Sequence, residues 1–181
     1  MQSSFWPDEE SLSVMTDDRR VIERVLKGDT EAFNLLVRQW ERPIYNFIRR
    51  MIGDPDEAMD LCQDCFLKAF RELGTLKDRD RFSSWLYRIA HNTCFSRMRK
   101  NYGKTWVELD PDAGSTHMPV ENRLAVEKAL QHLPEDQREV VILKVFQSLK
   151  FEEIAAIQNA PVSTVKSRLY MGFEKLRAIL E

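Results

Sequence analysis

The chain has 181 residues, 43% hydrophobic and 31% charged, a length and composition that suit one soluble globular domain or two small ones. Its 27 basic and 29 acidic residues leave a formal charge of −2, unusual for a protein that grips DNA unaided, because phosphate neutralisation supplies most of such affinity. Three cysteines do not make a disulfide scaffold, no stretch approaches a membrane span, and the N-terminal MQSSFWPDEESLSVMTDD lacks the basic start and apolar core of a signal peptide.

Residues 1 to about 16 read as a flexible acidic tail. Thr16 is expected to cap a first helix with Asp17 and Asp18 in its first turn, where the helix dipole favours acids, and with Val21, Ile22, Val25 and Leu26 as its apolar stripe. Gly28 stops it. Asp29 is expected to cap a second helix, with Ala32, Phe33, Leu36, Val37 and Trp40 inward. Pro43 should interrupt or kink it before Ile44, Tyr45, Phe47, Ile48, Met51 and Ile52 continue the face to Gly53.

Asp54-Pro55 is a cap followed by proline at the first helical position. Ala58, Leu61, Cys62, Cys65, Phe66, Ala69 and Phe70 follow at three-and-four spacing until Gly74. Ser83 is the expected cap of the next helix, with Leu86, Ile89, Ala90, Thr93 and Cys94 as its stripe and Trp85 near the entrance. Residues 101–119, NYGKTWVELDPDAGSTHMP, hold two prolines and two glycines and read as a linker. Helical periodicity resumes near Val120 with Leu124, Val126, Ala129, Leu130 and Leu133. Pro134 opens another helix, with Glu135 and Asp136 in its first turn and Val140, Val141, Leu143 and Val145 as its apolar body.

Phe151 to Tyr170, FEEIAAIQNAPVSTVKSRLY, reads as two short helices joined by a tight turn. Ile154, Ala155, Val165 and Leu169 face inward, Asn159 tolerates a left-handed turn, and Pro161 pre-sets the second helix. That second helix shows Ser163, Thr164, Lys166, Ser167, Arg168 and Tyr170 to one side or its rim. This is the pattern of a helix-turn-helix entering a DNA major groove; an ordinary helical hairpin with a solvated basic face has the same spacing. The expected fold is all-α: a tail (1–16), an N-terminal helical domain (17–100), a flexible linker (101–119) and a C-terminal helix-turn-helix domain (120–181).

The near-neutral total hides segregated charge. From Gly53 to Leu67 there are five acids and no base; from Arg81 to Val107 there are six bases and no acid. The first run is suited to a positive partner and the second to a negative one. Phe82, Trp85, Tyr87, Phe95, Tyr102 and Trp106 interleave the basic run, a combination that, taken over the whole run, suits single-stranded nucleic acid, although any one of these rings taken alone reads rather as core.

Three segments then resemble one family, the extracytoplasmic-function (ECF) class of bacterial sigma factors. DEAMDLCQDCFLKAF (56–70) is similar to the acidic helix that binds the clamp helices of the largest RNA polymerase subunit. FSSWLYRIAHNTCFSRMRK (82–100) is similar to the promoter-melting and minus-ten helix. LPEDQREVVILKVFQSLKFEEIAAIQNAPVSTVKSRL (133–169) is similar to the minus-thirty-five module. The resemblance implies polymerase binding through Asp60, Gln63 and Asp64; Phe66, by its spacing, is left as core. It implies minus-ten recognition and melting through Phe82, Trp85, Arg88, Asn92, Arg97, Arg99 and Lys100, and capture of a flipped base by the loop from Leu73 to Arg81. It assigns minus-thirty-five contacts to the helix-turn-helix residues already named.

The implied partners are core RNA polymerase, promoter DNA (double- and single-stranded) and an anti-sigma factor. The implied location is cytoplasmic, with no direct membrane insertion, no enzyme activity and no cofactor. This sequence departs from the family pattern at Ser96, where Asp is usual, at Gln158, where an apolar residue is usual, at Asn159, where glycine is usual, and at Met171-Gly172, where basic residues are common.

Cys62 and Cys65 form a CxxC, and His91 and Cys94 an HxxC, four side chains that would offer zinc ligands or a redox pair if their helices met. All three cysteines also fall on apolar stripes, where free Cys is most often found, and no metal is assigned. A stand-alone helix-turn-helix regulator with a metal- or redox-responsive N-terminal domain is the alternative function.

Overall fold

A computed structural model describes residues 17–100 and 120–180, and among these described residues there are eight α-helices and no strand. The first unit holds α1 (Asp18–Leu26), α2 (Phe33–Ile52), α3 (Pro55–Glu72) and α4 (Phe82–Lys100). The second holds α5 (Val120–Gln131), α6 (Glu135–Val141), α7 (Phe151–Gln158) and α8 (Val162–Leu180). The tail, Thr16 and the segment 101–119 lie outside the described residues.

Local chemistry sets the helix ends. Asp17 caps α1 by accepting from the Arg19 N–H at 3.2 Å. Asp54 caps α3 by accepting from the N–H groups of Asp56 and Glu57, with Pro55 at the first position as expected. Gly53 ends α2 at φ 88°, a left-handed conformation that glycine adopts without the Cβ clash. Asn159 takes the same role after α7, at φ 50° and ψ 47°.

α2, α3 and α4 pack on one another, with α1 laid against α2. Leu36, Ile44, Phe47, Ile48 and Met51 of α2 are fully buried, each stabilising the unit by roughly 1.5–3 kcal/mol relative to exposure. In the second unit α8 crosses α6 at Gly172, where an added Cβ would lie 3.0 Å from Val141 Cγ2. Glycine at this position therefore sets the closeness of the crossing.

Several expected details are different. Asp29 does not cap α2; its carboxylate takes two hydrogen bonds from Arg24, and a 3₁₀ turn, Thr30–Ala32, precedes the helix. α2 runs unbroken through Pro43. Ser83 does not cap α4, because a 3₁₀ turn capped by Asp78, Arg79–Arg81, leads directly into it. Phe70 and Val145 are exposed rather than inward. Phe70 lies at the rim, edge-on to Phe33 at 5.1 Å. Val145 turns outward because α6 widens into a π-helical turn, Ile142–Phe146, which changes the angle per residue.

Candidate nucleic-acid interface

On α4, Trp85, Arg88, Asn92 and Arg99 fall within one stripe at about 100° per residue. Arg88, Asn92, Arg99 and Lys100 are exposed and Trp85 is half-buried. Phe82 is 1% exposed, set edge-on to Trp40 at 6.1 Å and tilted against Trp85 at 5.8 Å. It supports the Trp85 ring from below and is not itself available to a base. Tyr87 is likewise buried, against Phe47 and Trp40. Arg97 is committed to an ion pair with Glu57 of α3. The acidic and basic runs thus partly neutralise each other within the unit.

Asp60, Gln63 and Asp64 stand exposed on α3. The opposite side of that helix carries Leu61, Cys62, Cys65 and Phe66 into the core. Burial pushes the Cys62 thiol up to about 12, and Cys65 and Cys94 rise further for the same reason, with neighbouring groups adding to the effect. These are packed thiols. His91, the fourth group of the HxxC and CxxC set, turns away to Glu139. Among the described residues no group of three or more His, Cys, Asp or Glu side chains is arranged to hold a metal ion.

On α8, Ser163, Lys166, Ser167 and Tyr170 are exposed and Thr164 is partly so. Lys166 Nζ sits 5.4 Å from the Phe151 ring centroid of α7, so the first helix of the motif steadies a cation of the second. Arg168 is held at the side of the motif. Its Nη1 donates to Gln158 Oε1 at 2.8 Å and its Nε lies 2.9 Å from Asp136 Oδ2. Gln158, an expected departure, donates in turn through Nε2 to the Asp136 carbonyl at 3.0 Å and to Glu139 Oε2 at 2.8 Å.

The two units touch, α4 against α7 and α2 against α5 and α6. Tyr87 donates its hydroxyl to Gln147 Oε1 at 2.7 Å, and His91 Nδ1 lies 2.7 Å from Glu139 Oε1. Arg50 pairs with Glu127 at 2.9 Å and lies 4.2 Å over the Phe146 ring. Arg138, 2% exposed, donates to the Met51 carbonyl at 2.6 Å and to the carbonyls of Gln131 and Leu133. Burial lowers its guanidinium to about 10, still charged at neutral pH. Glu139, Arg138 and Gln147 belonged to none of the expected site sets. No local signal marks them: Arg138 and Glu139 close the polar stretch 135–139, just before the apolar run of residues 140–143.

Residues 36–103 match the Sigma-70 region 2 model and residues 123–176 the Sigma-70, region 4 model. The chain is 33% identical over 186 residues to the RNA polymerase sigma-H factor of Pseudomonas aeruginosa, covering 91% of this chain and 94% of that protein. It is 34% identical over 187 residues to the ECF RNA polymerase sigma-E factor of Escherichia coli K12, covering 91% and 95%. Its fold is similar to the sigma factor RpoE solved with the anti-sigma factor NepR from Bartonella quintana (TM-score 0.70, 27% identity, 82% of this chain and 96% of that one). It is also similar to CnrH solved with the cytosolic domain of CnrY (TM-score 0.71, 25% identity, 90% and 96%). The class is that of sigma-70-type transcription initiation factors, with regions 2 and 4 in that order. Within it, the chain belongs to the ECF sigma factor family. A region 2 match over α2, α3 and α4 leaves no place for a separate sensory domain there, and the stand-alone regulator reading is set aside.

Proposed function

We propose that this ECF sigma factor binds core RNA polymerase, directs it to specific promoters and begins promoter melting, and that it is held inactive by an anti-sigma factor. The observation that carries the reading is the division of exposed chemistry between two units. An acid-lined α3 and a basic α4 stripe stand in one, and a polar, basic helix-turn-helix in the other.

In the first unit (17–100), Asp60, Gln63 and Asp64 present carboxylates and an amide to a basic polymerase surface. Arg88, Arg99 and Lys100 meet phosphate, Asn92 reaches a base edge, and Trp85 stacks on an unpaired base. Arg97 contributes once its pair with Glu57 is exchanged for phosphate. In the second unit (120–181), Ser163, Thr164, Lys166, Ser167 and Tyr170 face the minus-thirty-five groove, with Arg168 at its edge.

The factor forms no bond itself; the polymerase does the chemistry, and melting draws on trapped non-template bases. A net charge of −2 fits a protein whose DNA grip is shared with polymerase. No helix among the described residues is long and apolar enough to cross a membrane, which supports a cytoplasmic location. Multi-round transcription with purified core polymerase on genomic fragments tests the reading. Promoter-specific transcripts are the expected result; specific DNA binding by the isolated chain with no such transcript would overturn it.

A further inference from the structure

The region 2 match begins at residue 36 and leaves α1 outside it. Val21, Ile22 and Val25 are buried and hold this helix on the first unit. Packing alone asks for no carboxylate at positions 18 and 23. Yet the two carboxylates of α1, Asp18 and Glu23, both reach across to other elements. Each reaches toward a different part of the surface that meets unpaired DNA.

Glu23 serves the loop at residues 73–81, the one that the family resemblance makes the captor of a flipped base. α1 lies against both of its 3₁₀ turns, Leu73–Thr75 and Arg79–Arg81. Arg79 Nη1 donates to Glu23 Oε1 at 3.2 Å. Arg19 joins the same group, with its Nε 3.5 Å from Glu23 Oε1 and its Nη1 3.8 Å from Asp80 Oδ2. Arg79 Nε is buried with no hydrogen-bond partner among the described residues. The guanidinium is thus drawn down onto α1 with one donor left unmet, where an arginine serving phosphate would stand out in solvent. Ion pairs as exposed as this one add little to folding stability. What the Glu23–Arg79 pair supplies is position, because it ties the turn that leads into α4 to a fixed helix.

Asp18 serves the neighbouring side. Its carboxylate accepts from Trp40 Nε1 at 3.1 Å and from Gln39 Nε2 at 3.0 Å. An indole anchored at its N–H keeps one ring orientation. The Trp40 ring so held stands edge-on to Phe82 at 6.1 Å, and Phe82 lies 5.8 Å from the Trp85 ring that it supports.

We propose that α1 is a brace for the melting surface: Glu23 positions the loop at 73–81 through Arg79, and Asp18 positions the Trp85 ring through Trp40 and Phe82. A base leaves the stack only if the site that receives it offsets the unstacking, and a site already in place does so without first ordering itself. The role at a promoter rests on the function proposed above; the holding of the loop is a property of the free chain.

The test uses the full chain in two arms. The first follows hydrogen exchange of the free protein by mass spectrometry. Glu23→Gln removes the charge and keeps the size, and should speed exchange across residues 73–81 by about 2–5-fold, with α6, α7 and α8 unchanged. In the second, holoenzyme made with core polymerase is placed on a promoter recovered by the transcription assay, and unpaired thymines are read with permanganate. Glu23→Gln should lower the melted fraction by about 3–10-fold, while competition for core polymerase and binding to the minus-thirty-five duplex stay at the wild-type level. Asp18→Ala should lower it too, and Asp18→Asn, which keeps an acceptor for the indole, should remain near wild type.

The sign separates a brace from an arginine merely parked beside DNA. If Arg79 served phosphate, Glu23→Gln would release it and melting would rise. Melting at or above the wild-type level in Glu23→Gln or Asp18→Ala, or unchanged exchange across the loop, would overturn the brace. If wild-type holoenzyme gives no promoter-specific transcript, the sigma reading fails, while the exchange arm still decides whether α1 holds the loop.

Discussion

Gln158 Oε1 accepts from Arg168 Nη1 at 2.8 Å, so a side chain of the first helix-turn-helix helix fixes a cation of the second. With Asp136 on the other side, Arg168 keeps only a quarter of its side chain exposed. Nearly all of its charge is spent inside the motif. Its freedom to contact DNA is set by a residue that the family pattern usually makes apolar.

Gln158→Leu tests this relationship. It frees Arg168 from one partner and leaves Glu139 with His91 alone. Loss of a buried hydrogen bond to a charged acceptor should cost the fold about 1–3 kcal/mol, read by urea denaturation. A released Arg168 adds a phosphate contact, so the log–log salt slope of binding to a minus-thirty-five duplex should steepen by up to about 0.9. An unchanged slope with reduced stability would show that Arg168 stays structural.

Asp60 and Asp64 stand exposed on α3, with no ion pair to either among the described residues, whereas Glu57 on the same helix is tied to Arg97. Asp60→Lys with Asp64→Lys should leave thermal stability within about 0.5 kcal/mol, since surface substitutions of this kind disturb no packing. Competition for core polymerase should weaken by roughly 10–100-fold, because two attractive contacts become repulsive. Equal competition by variant and wild type would remove these residues from the polymerase surface.

The three thiols should be inert in the folded chain. Cys62 is pushed up to about 12 by burial, so at pH 8 only about one molecule in 10⁴ carries the thiolate that reacts. Raising the pH toward 12 should speed its alkylation, and Cys65 and Cys94, with no exposed surface, should lag behind it. Mass spectrometry after iodoacetamide at pH 8 should find the native protein unmodified over minutes and all three sites modified in denaturant. Rapid native labelling at Cys62 would instead show that α3 opens locally.

The helices themselves were legible in the sequence where a capping side chain stood beside an apolar stripe. Asp54-Pro55 is such a place and begins α3 as expected; Pro134 begins α6 with no side-chain cap, through the backbone angle its ring fixes. Starts were misread where a 3₁₀ turn intervened, because Asp29 and Ser83 have capping chemistry but the turn moves the true entrance by several residues. In the basic run, periodicity alone left open which rings were core. Phe82 and Tyr87 proved to be buried while Trp85 sits at the rim, a distinction made by packing against Trp40 and Phe47. The contact between the two units was least legible. His91 and Glu139 are 48 positions apart, and nothing local to either predicts the other.

The close crossing of α6 and α8 gives the last test. A Cβ at Gly172 would lie 3.0 Å from Val141 Cγ2 and 3.7 Å from the Gln137 carbonyl, and Val141 is itself buried with little room to move. Gly172→Ala gains helix propensity of about 1 kcal/mol, since glycine is a poor helix former. It must also push α8 away from α6, and overpacking of this kind costs about 1–3 kcal/mol. The clash should win, giving a net loss of roughly 1 kcal/mol in urea denaturation. Asn159→Gly is the matched control. There φ is 50°, no propensity or packing opposes the change, and relief of the left-handed backbone should leave stability equal or up to about 1 kcal/mol higher. If Gly172→Ala were instead stabilising, the helices would be free to separate at that crossing, and glycine would not be what sets their distance.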